Sequence, residues 1–432
     1  MNTYKKAVIM CDTVVALKNA TAQKVVLFGK NSDRDPNEPH IMVYIPRKNH
    51  GAGEMVKTTY TAIPQVSTTH AVMLFKPAWL WGCEMGTNEY GLTIGNEAVF
   101  TRMKKEKPTL IGMDYIRLAL ERAKTAEEAK NIITTLLAQY GQGGNCAYRG
   151  TMKYDNAYIL ADREEAWILE TAGRFWAAKK VRDVASISNC LSIGRDYDEI
   201  HQGAVAYAIK RRWCKSEEDF NFARCFTDPL FTYFSKGEKR RKLSLTALQK
   251  NKGDITWRTL KDILRSHSPD ERGENPLAES SMDSVCMHGG GLISDHTTGS
   301  LIAQLGDRPR YWATGASTPC FSIFKPLWFS DKAPIFREDE TASAIGYWTR
   351  REKLFRGALA GEIDTARYIE ARDSLETFLD DIEGDEQVVM RDAFEAEGRF
   401  VATAKKEFSV DSPKPLGGAM YRRYWKKQRK LL

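Results

Sequence analysis

Apolar and polar positions along this chain follow two rhythms, a strand rhythm in the first half and a helical one at the end. Runs rich in β-branched residues at 7 to 17 (AVIMCDTVVAL) and 24 to 30 (KVVLFGK) flank the polar connection KNATAQ and predict strand, loop and strand. Further strands are expected at 69–76, 91–99, 156–161, 166–171, 174–181 and 184–189, and later at 283–288, 298–305 and 310–314. Helical spacing of Met113, Ile116, Leu118 and Leu120 predicts a helix over 112–123. A second helix follows, opened by Thr125 with Glu128 three residues on and closed at Gly141. Two antiparallel helices over a sheet are the expected result.

The charged stretch 215–253, with its cluster KGEKRRK, reads as an exposed excursion rather than core. A helix carrying Trp257, Leu260, Ile263 and Leu264 on one face comes next. From about 342 onward strand signals vanish, and Tyr368, Leu375, Leu379 and Ile382 mark a helical stripe. With neither a fixed-period repeat nor a Pro/Gly/Ser linker, one large layered domain with a helical tail is expected. We divide it as residues 1–10, a propeptide; 11–335, the layered domain; and 336–432, a helical extension ending in a basic tail.

Composition narrows the function classes. The 432 residues are 42% apolar and 28% charged, which suits a folded domain. There are 64 basic and 56 acidic side chains, a net charge of +8, but the last thirteen residues hold six of the basic groups and no acid. The rest of the chain is therefore near +2, with no basic footprint of a nucleic-acid binder. The chain contains no uninterrupted apolar run of the roughly 18 residues a membrane span needs. Eight cysteines, at 11, 83, 146, 190, 214, 225, 286 and 320, lie without CxxC pairs, which fits a reducing, cytoplasmic setting.

Several motifs fail on context. His288 with Gly289, Gly290 and Gly291 resembles an esterase oxyanion loop, but no GxSxG elbow accompanies it. The glycines at 141, 143 and 144 follow a helix rather than a strand, so they do not form a phosphate cradle. Asp295, His296 and His288 lack metal-ligand spacing, so neither a metal nor a cofactor is expected.

The first hairpin carries the candidate chemistry. With 18–23 as the bend, paired positions sum to about 41, give or take two for loop type, so Cys11 faces Lys30 and Asp33 lies three residues beyond that partner. A cation beside a thiol stabilises the thiolate and lowers its pKa. If the Met10–Cys11 bond were cut, the α-amine of Cys11 (reference pKa about 7.7–8.0) would be a general base next to its own sulfur, with Asp33 placed to orient it. A buried strand cysteine beside a turn aspartate is the plainer alternative on chemistry alone.

The runs CDTVVAL (11–17), FGKNSDR (28–34), PAWLWGCEMGTNEYGLTIGNEAV (77–99), GQGGN (141–145), AYILADREEAWILETAGRFWAAKKV (157–181) and SIFKP (322–326) resemble those of the secernins. These are relatives of the bacterial cysteine dipeptidases within the N-terminal-nucleophile hydrolases. The resemblance spans roughly residues 5–330. It implies an α+β fold, a four-layer αββα sandwich of the N-terminal-nucleophile type with a helical C-terminal extension. It also implies Cys11 as nucleophile and Asp33 after the second strand. Lys30 stands where the related choloylglycine hydrolases have arginine. Asn189 in SISNC matches their oxyanion asparagine, and Asn96 is the nearest second polar group. The family's catalytic arginine has no matching motif, although Arg240 and Arg241 lie in the expected region. The activity implied is cysteine-type dipeptidase chemistry on a small peptide. An acylase acting on another amide and a non-catalytic regulatory role remain the alternatives, and a homo-oligomer is left open.

Overall fold

The computed structural model describes residues 10–269, 275–291 and 295–432. The first three positions of the strand expected at 7–17, and all but Met10 of the expected propeptide, lie outside the described residues.

Two sheets form the body. One is a six-stranded antiparallel sheet in the order Val184–Ile187, Met10–Ala16, Val26–Arg34, His296–Leu305, Arg310–Ala313, Lys325–Trp328. The other has nine strands in the order Glu199–Ile200, Phe175–Lys180, Ala166–Ala172, Asp155–Ala161, Thr93–Val99, Met85–Asn88, Val72–Pro77, His40–Ile45, Phe336–Arg337, and only its last pair is parallel.

Side-chain alternation explains how they stack. In the first strand Val15 joins Val26 and Phe28 in packing against Met73, Phe75, Met85 and Val99 of the opposite sheet. Val14 and Ala16 face the other way, onto Leu248, Leu260 and Leu264 of helices Gly237–Lys250 and Trp257–Leu264. On the far side, Leu74, Ile94 and Leu160 pack against Ile116, Leu120, Ile133 and Leu137 of helices Gly112–Arg122 and Ala126–Tyr140. The order is helix, sheet, sheet, helix: the expected α+β fold, a four-layer αββα sandwich. Strands buried on both faces have no polar side to show, which is why the first hairpin reads as continuous apolar runs.

Local signals largely hold. The Thr125 hydroxyl accepts the Glu128 N–H at 3.2 Å, while the Glu128 carboxylate takes the N–H of Lys124 at 2.7 Å, one residue earlier than a full capping box. Gly141 closes that helix at φ +67°, a region that favours glycine. The segment expected as a strand at 283–288 is instead irregular, with a single bridge between Ser281 and His288.

Two expectations are corrected. The first hairpin pairs Cys11 with Ser32 and Thr13 with Lys30, at the edge of the expected range of registers and two residues from its centre, so Lys30 is not the direct partner of Cys11. The connection runs longer than six residues, because Thr21 closes a turn of its own on Val25 (3.1 and 2.7 Å) and Lys24 adopts φ +56°. A shift of two preserves the face, so Cys11 and Lys30 still project to the same side. The stretch 215–253 is no exposed excursion: the helix Gly237–Lys250 buries Arg240, Ser244 and Leu248 against the first sheet.

From residue 336 the chain adds Phe336–Arg337 to the edge of the larger sheet and continues through helices Thr341–Leu359, Thr365–Asp381, Glu386–Glu407 and Ala419–Arg429. Buried polar contacts fasten these helices to the sandwich. Glu376 accepts from Arg265 (2.7 Å) and from the Phe324 N–H (2.7 Å), and Arg356 reaches Asn37 (2.7 Å).

Gly82 permits the closest backbone approach near the site. A β-carbon there would lie 2.2 Å from the Met113 carbonyl group, at the start of helix Gly112–Arg122. Gly82→Ala should therefore destabilise the chain by about 1–3 kcal/mol, the usual cost of overpacking, read as a lower urea midpoint at unchanged slope.

Candidate active site

The C-terminal end of the second strand, the start of the first and the bend after Ile187 converge on Cys11. Its backbone N–H donates to Asn189 Oδ1 at 2.9 Å. Its sulfur accepts the Asp33 N–H at 3.3 Å, and the thiol points to Glu84 Oε2 at 3.6 Å. Cys11, the Asp33 backbone N–H and the Asn189 side chain thus meet at one point.

Parity along the strands sorts the remaining groups. Cys11 and Thr13 face the second sheet, where the Thr13 hydroxyl donates to Glu97. Lys30 lies on the same side, its ammonium donating to Asn96 O (2.6 Å), Asn31 O (3.3 Å) and Glu97 Oε1 (3.3 Å). Asp12 faces the opposite way, onto Arg240 Nε at 2.8 Å. Arg240 also donates to Asn189 Oδ1 (2.5 Å), Ser188 Oγ (3.1 Å) and the carbonyls of Ser235 (2.7 Å) and Met282 (2.8 Å). A guanidinium has only donors, so this contact fixes which end of the Asn189 amide faces Cys11.

Three expected roles change. The Asn189 amide nitrogen donates to Ala98 O at 2.8 Å, so in this arrangement Asn189 holds the Cys11 nitrogen and does not present an oxyanion donor. Asn96 points to the outer face of its sheet, donating to Asn156 Oδ1 at 2.9 Å; only its carbonyl serves the site, and the inward side chain is the next residue, Glu97. The Asp33 carboxyl does not reach the Cys11 nitrogen: one oxygen accepts from the Thr297 hydroxyl at 2.6 Å, and the other is buried with no partner.

Arg240, Asp12, Glu84, Glu97 and Thr297 are the groups that sequence reasoning missed or left unplaced. An acid inside the buried runs CDTVVAL and GLTIGNEAV was a readable signal, since an ionised side chain in such a strand needs a partner. Arg240 had no such mark, because it lies in a helix whose neighbours are mostly charged.

Three buried cations, Lys30, Arg34 and Arg240, face five buried carboxyls, Asp12, Asp33, Glu38, Glu84 and Glu97. Burial, reinforced by Asp12, pushes Asp33 up to about 8 against the pull of Arg240 and Thr297. Burial likewise carries Glu97 to about 8, against Lys30. The Cys11 thiol is pushed well above its ordinary value by burial, which outweighs the Lys30 ammonium. The expected lowering by a nearby cation is therefore reversed: removing water costs the thiolate more than one lysine restores.

The site is closed. Cys11 is 1% exposed, and Met10, also 1% exposed, lies on the opposite face of the strand with Asp12, its sulfur 3.6 Å from Arg240 Nη1. A cavity of about 960 Å³ lies elsewhere, between helices Thr341–Leu359 and Glu386–Glu407, lined by Tyr347, Arg351, Phe394 and Val401.

Comparison with known proteins gives the following. Residues 20–172 match the family model of acyl-coenzyme A:6-aminopenicillanic acid acyl-transferase, a stretch that takes in Lys30, Asp33, Glu84 and Glu97 but not Cys11. A dipeptidase of Bifidobacterium longum is 24% identical over 221 residues, 43% of this chain and 38% of its own length. The match therefore spans well under half of that relative. Among solved structures, a conjugated bile acid hydrolase from Clostridium perfringens aligns with 74% of this chain and 92% of its own at 13% identity and TM-score 0.43. Penicillin V acylase from Agrobacterium tumefaciens aligns with 74% and 87% at 10% identity and TM-score 0.41.

The raised Asp33 carboxyl has a consequence for stability. In the folded chain it keeps its proton to about pH 8, whereas unfolded it loses it near 4, so the folded state binds the extra proton between these values. Its contribution to stability therefore declines as pH rises through that window. Asp33→Asn, which cannot ionise, should gain in Tm relative to the parent as pH goes from 4 to 8; a constant difference across the series would contradict this.

Proposed function

We propose that this chain is a cysteine amidohydrolase of the secernin and dipeptidase type, acting on a peptide bond after cleavage between Met10 and Cys11. The observation that carries the reading is the setting of Cys11. Its nitrogen is held by an asparagine that a buried arginine orients, and its sulfur meets the Asp33 N–H and the Glu84 carboxylate. A structural cysteine needs none of this. The match over 20–172 and the dipeptidase relative support acyl-transfer chemistry at an amide.

The steps follow from the geometry. Cleavage turns the Cys11 nitrogen into an amine beside its own sulfur. The amine takes the thiol proton, and the thiolate, with Lys30 on its face, adds to the substrate carbonyl. As the C–N bond breaks, the ammonium returns the proton to the leaving amine. Water then adds to the thioester and releases the acid, restoring the thiol. In the intact chain the carbonyl of Met10 is the amide adjacent to the sulfur, which makes the thiol itself the candidate for that first cut. Eight free cysteines suit a reducing, cytoplasmic setting for this chemistry. Among the described residues no helix is long and apolar enough to cross a membrane.

The acyl-transferase match favours a second reading, the same chemistry on a non-peptide amide, which a panel of dipeptides and N-acyl amides separates.

Intact mass of the active protein should show a chain starting at Cys11. Cys11→Ala should keep Met10 and lose all turnover, while Cys83→Ala stays active. A fully active chain that retains Met10 would overturn the mechanism. Asn189→Ala should lower kcat by about 100-fold, the scale of a misplaced nucleophile, with KM less affected.

A further inference from the structure

His267, Cys286, His288 and Cys320 come together on the side of the first sheet that carries helix Trp257–Leu264, their ligand atoms all within 4.8 Å of one another. They arrive from three separate segments: His267 just past the end of that helix, Cys286 and His288 from the irregular stretch before strand His296–Leu305, and Cys320 from the turn before Lys325–Trp328. The expectation that no metal binds rested on spacing along the chain, and spacing does not report on such an assembly.

We propose that these four side chains form a structural site for one divalent zinc-like ion. The donor set is two imidazoles and two thiols with no carboxylate, the set that a soft, four-coordinate ion takes. The distances have the right size. His288 Nε2 lies 3.4 Å from His267 Nε2, 3.5 Å from Cys286 Sγ and 3.2 Å from Cys320 Sγ. Tetrahedral bonds of about 2.0–2.1 Å to nitrogen and 2.3 Å to sulfur place neighbouring ligands roughly 3.3–3.8 Å apart.

Protonation points the same way. His288 Nδ1 lies 2.8 Å from Pro276 O, so that nitrogen carries the hydrogen and Nε2 turns its lone pair toward the other three groups. Such an outer hydrogen bond, from a ligating imidazole to a carbonyl, is what fixes the tautomer at metal sites. Coordination would release one proton from each thiol into solvent as two sulfur–metal bonds form. Cys286 and His288 are buried and all four positions are protein groups, which makes the site closed and structural rather than catalytic.

The site also has a mechanical link to Cys11. Met287, between two of the ligands, exchanges hydrogen bonds with Thr297 (2.9 and 3.0 Å), and the Thr297 hydroxyl donates to Asp33. Asn31, two residues before Asp33, donates to Val285 O (2.9 Å) and Leu264 O (2.8 Å), next to the ligand segments. An ion here would pin the loop against which the end of the second strand is held.

The test uses the full reduced chain, incubated with zinc and freed of excess. Elemental analysis should find about one equivalent per chain. Cobalt(II) in its place should give the visible bands of a tetrahedral site and a near-ultraviolet thiolate-to-cobalt absorption. Cys286→Ser and Cys320→Ser should lose the ion, and Cys11→Ala should retain it. The cobalt spectrum of the unmutated chain does not depend on the variants folding. A folded, reduced chain that holds less than a tenth of an equivalent and shows no thiolate-to-cobalt band would overturn the proposal. So would retention of the ion by both serine variants, or a Cys286–Cys320 disulfide in the protein kept under reducing conditions.

Discussion

The guanidinium of Arg240, with no access to water, joins a helix on one side of a sheet to the strand end where Cys11 sits. It neutralises Asp12, fixes the Asn189 amide and ties down the carbonyls of Ser235 and Met282. An isolated buried cation would cost several kcal/mol, and pairing offsets this only when nearly every donor is matched. The exchange of partners around Arg240 is that complete, so it constrains where the first strand, the Asn189 bend and the helix Gly237–Lys250 can lie. Removing the arginine would leave Asp12 and Asn189 to rearrange, and with them the Cys11 nitrogen. The same argument covers Arg34, which spans Glu38 and Glu84 and so sets the carboxylate that faces the thiol.

How much of this was legible depended on whether a signal was local. Hairpin arithmetic put Cys11 opposite Lys30, and their shared face survived a register offset of two because the offset was even. Period-two burial could not say whether Asn96 or Glu97 turned inward. Choosing between them needed to know which face of a doubly buried strand meets the other sheet, and Gly95 decides it: a β-carbon there would lie 2.4 Å from Lys30 Cδ, so 95 and 97 face inward. Arg240 was hidden by its neighbours. In KGEKRRK the helix turns one arginine into the core and leaves most of the other charges outside, and composition averages over the difference. The cysteine and histidine cluster was out of reach for another reason: its four members meet only through tertiary folding, and the pair Cys286 and His288 was the one local hint.

The thiol shows two effects opposing each other and which prevails. Lys30 on the same face favours the thiolate, but Glu84, Glu97 and Asp33 surround the sulfur and water is excluded. Desolvation prevails, so the thiol is held in its protonated form.

On the proposed mechanism, cutting before Cys11 also tunes the base. The new amine would share Asn189 Oδ1 with Arg240, which already donates to that oxygen at 2.5 Å. A second cation at this oxygen is disfavoured, and partial burial disfavours it further, so both push the amine below its reference pKa of about 7.7–8.0. Asp12 and Asp33 act the other way, but Asp12 is matched to Arg240, and Asp33 holds its proton to about pH 8. Both effects, the second cation and the burial, favour the neutral amine, the state in which it can accept the thiol proton. The raised carboxyl and the fixed guanidinium would then be two parts of one device: the first withholds a negative charge that would make the amine too basic, and the second supplies the positive charge that keeps it free.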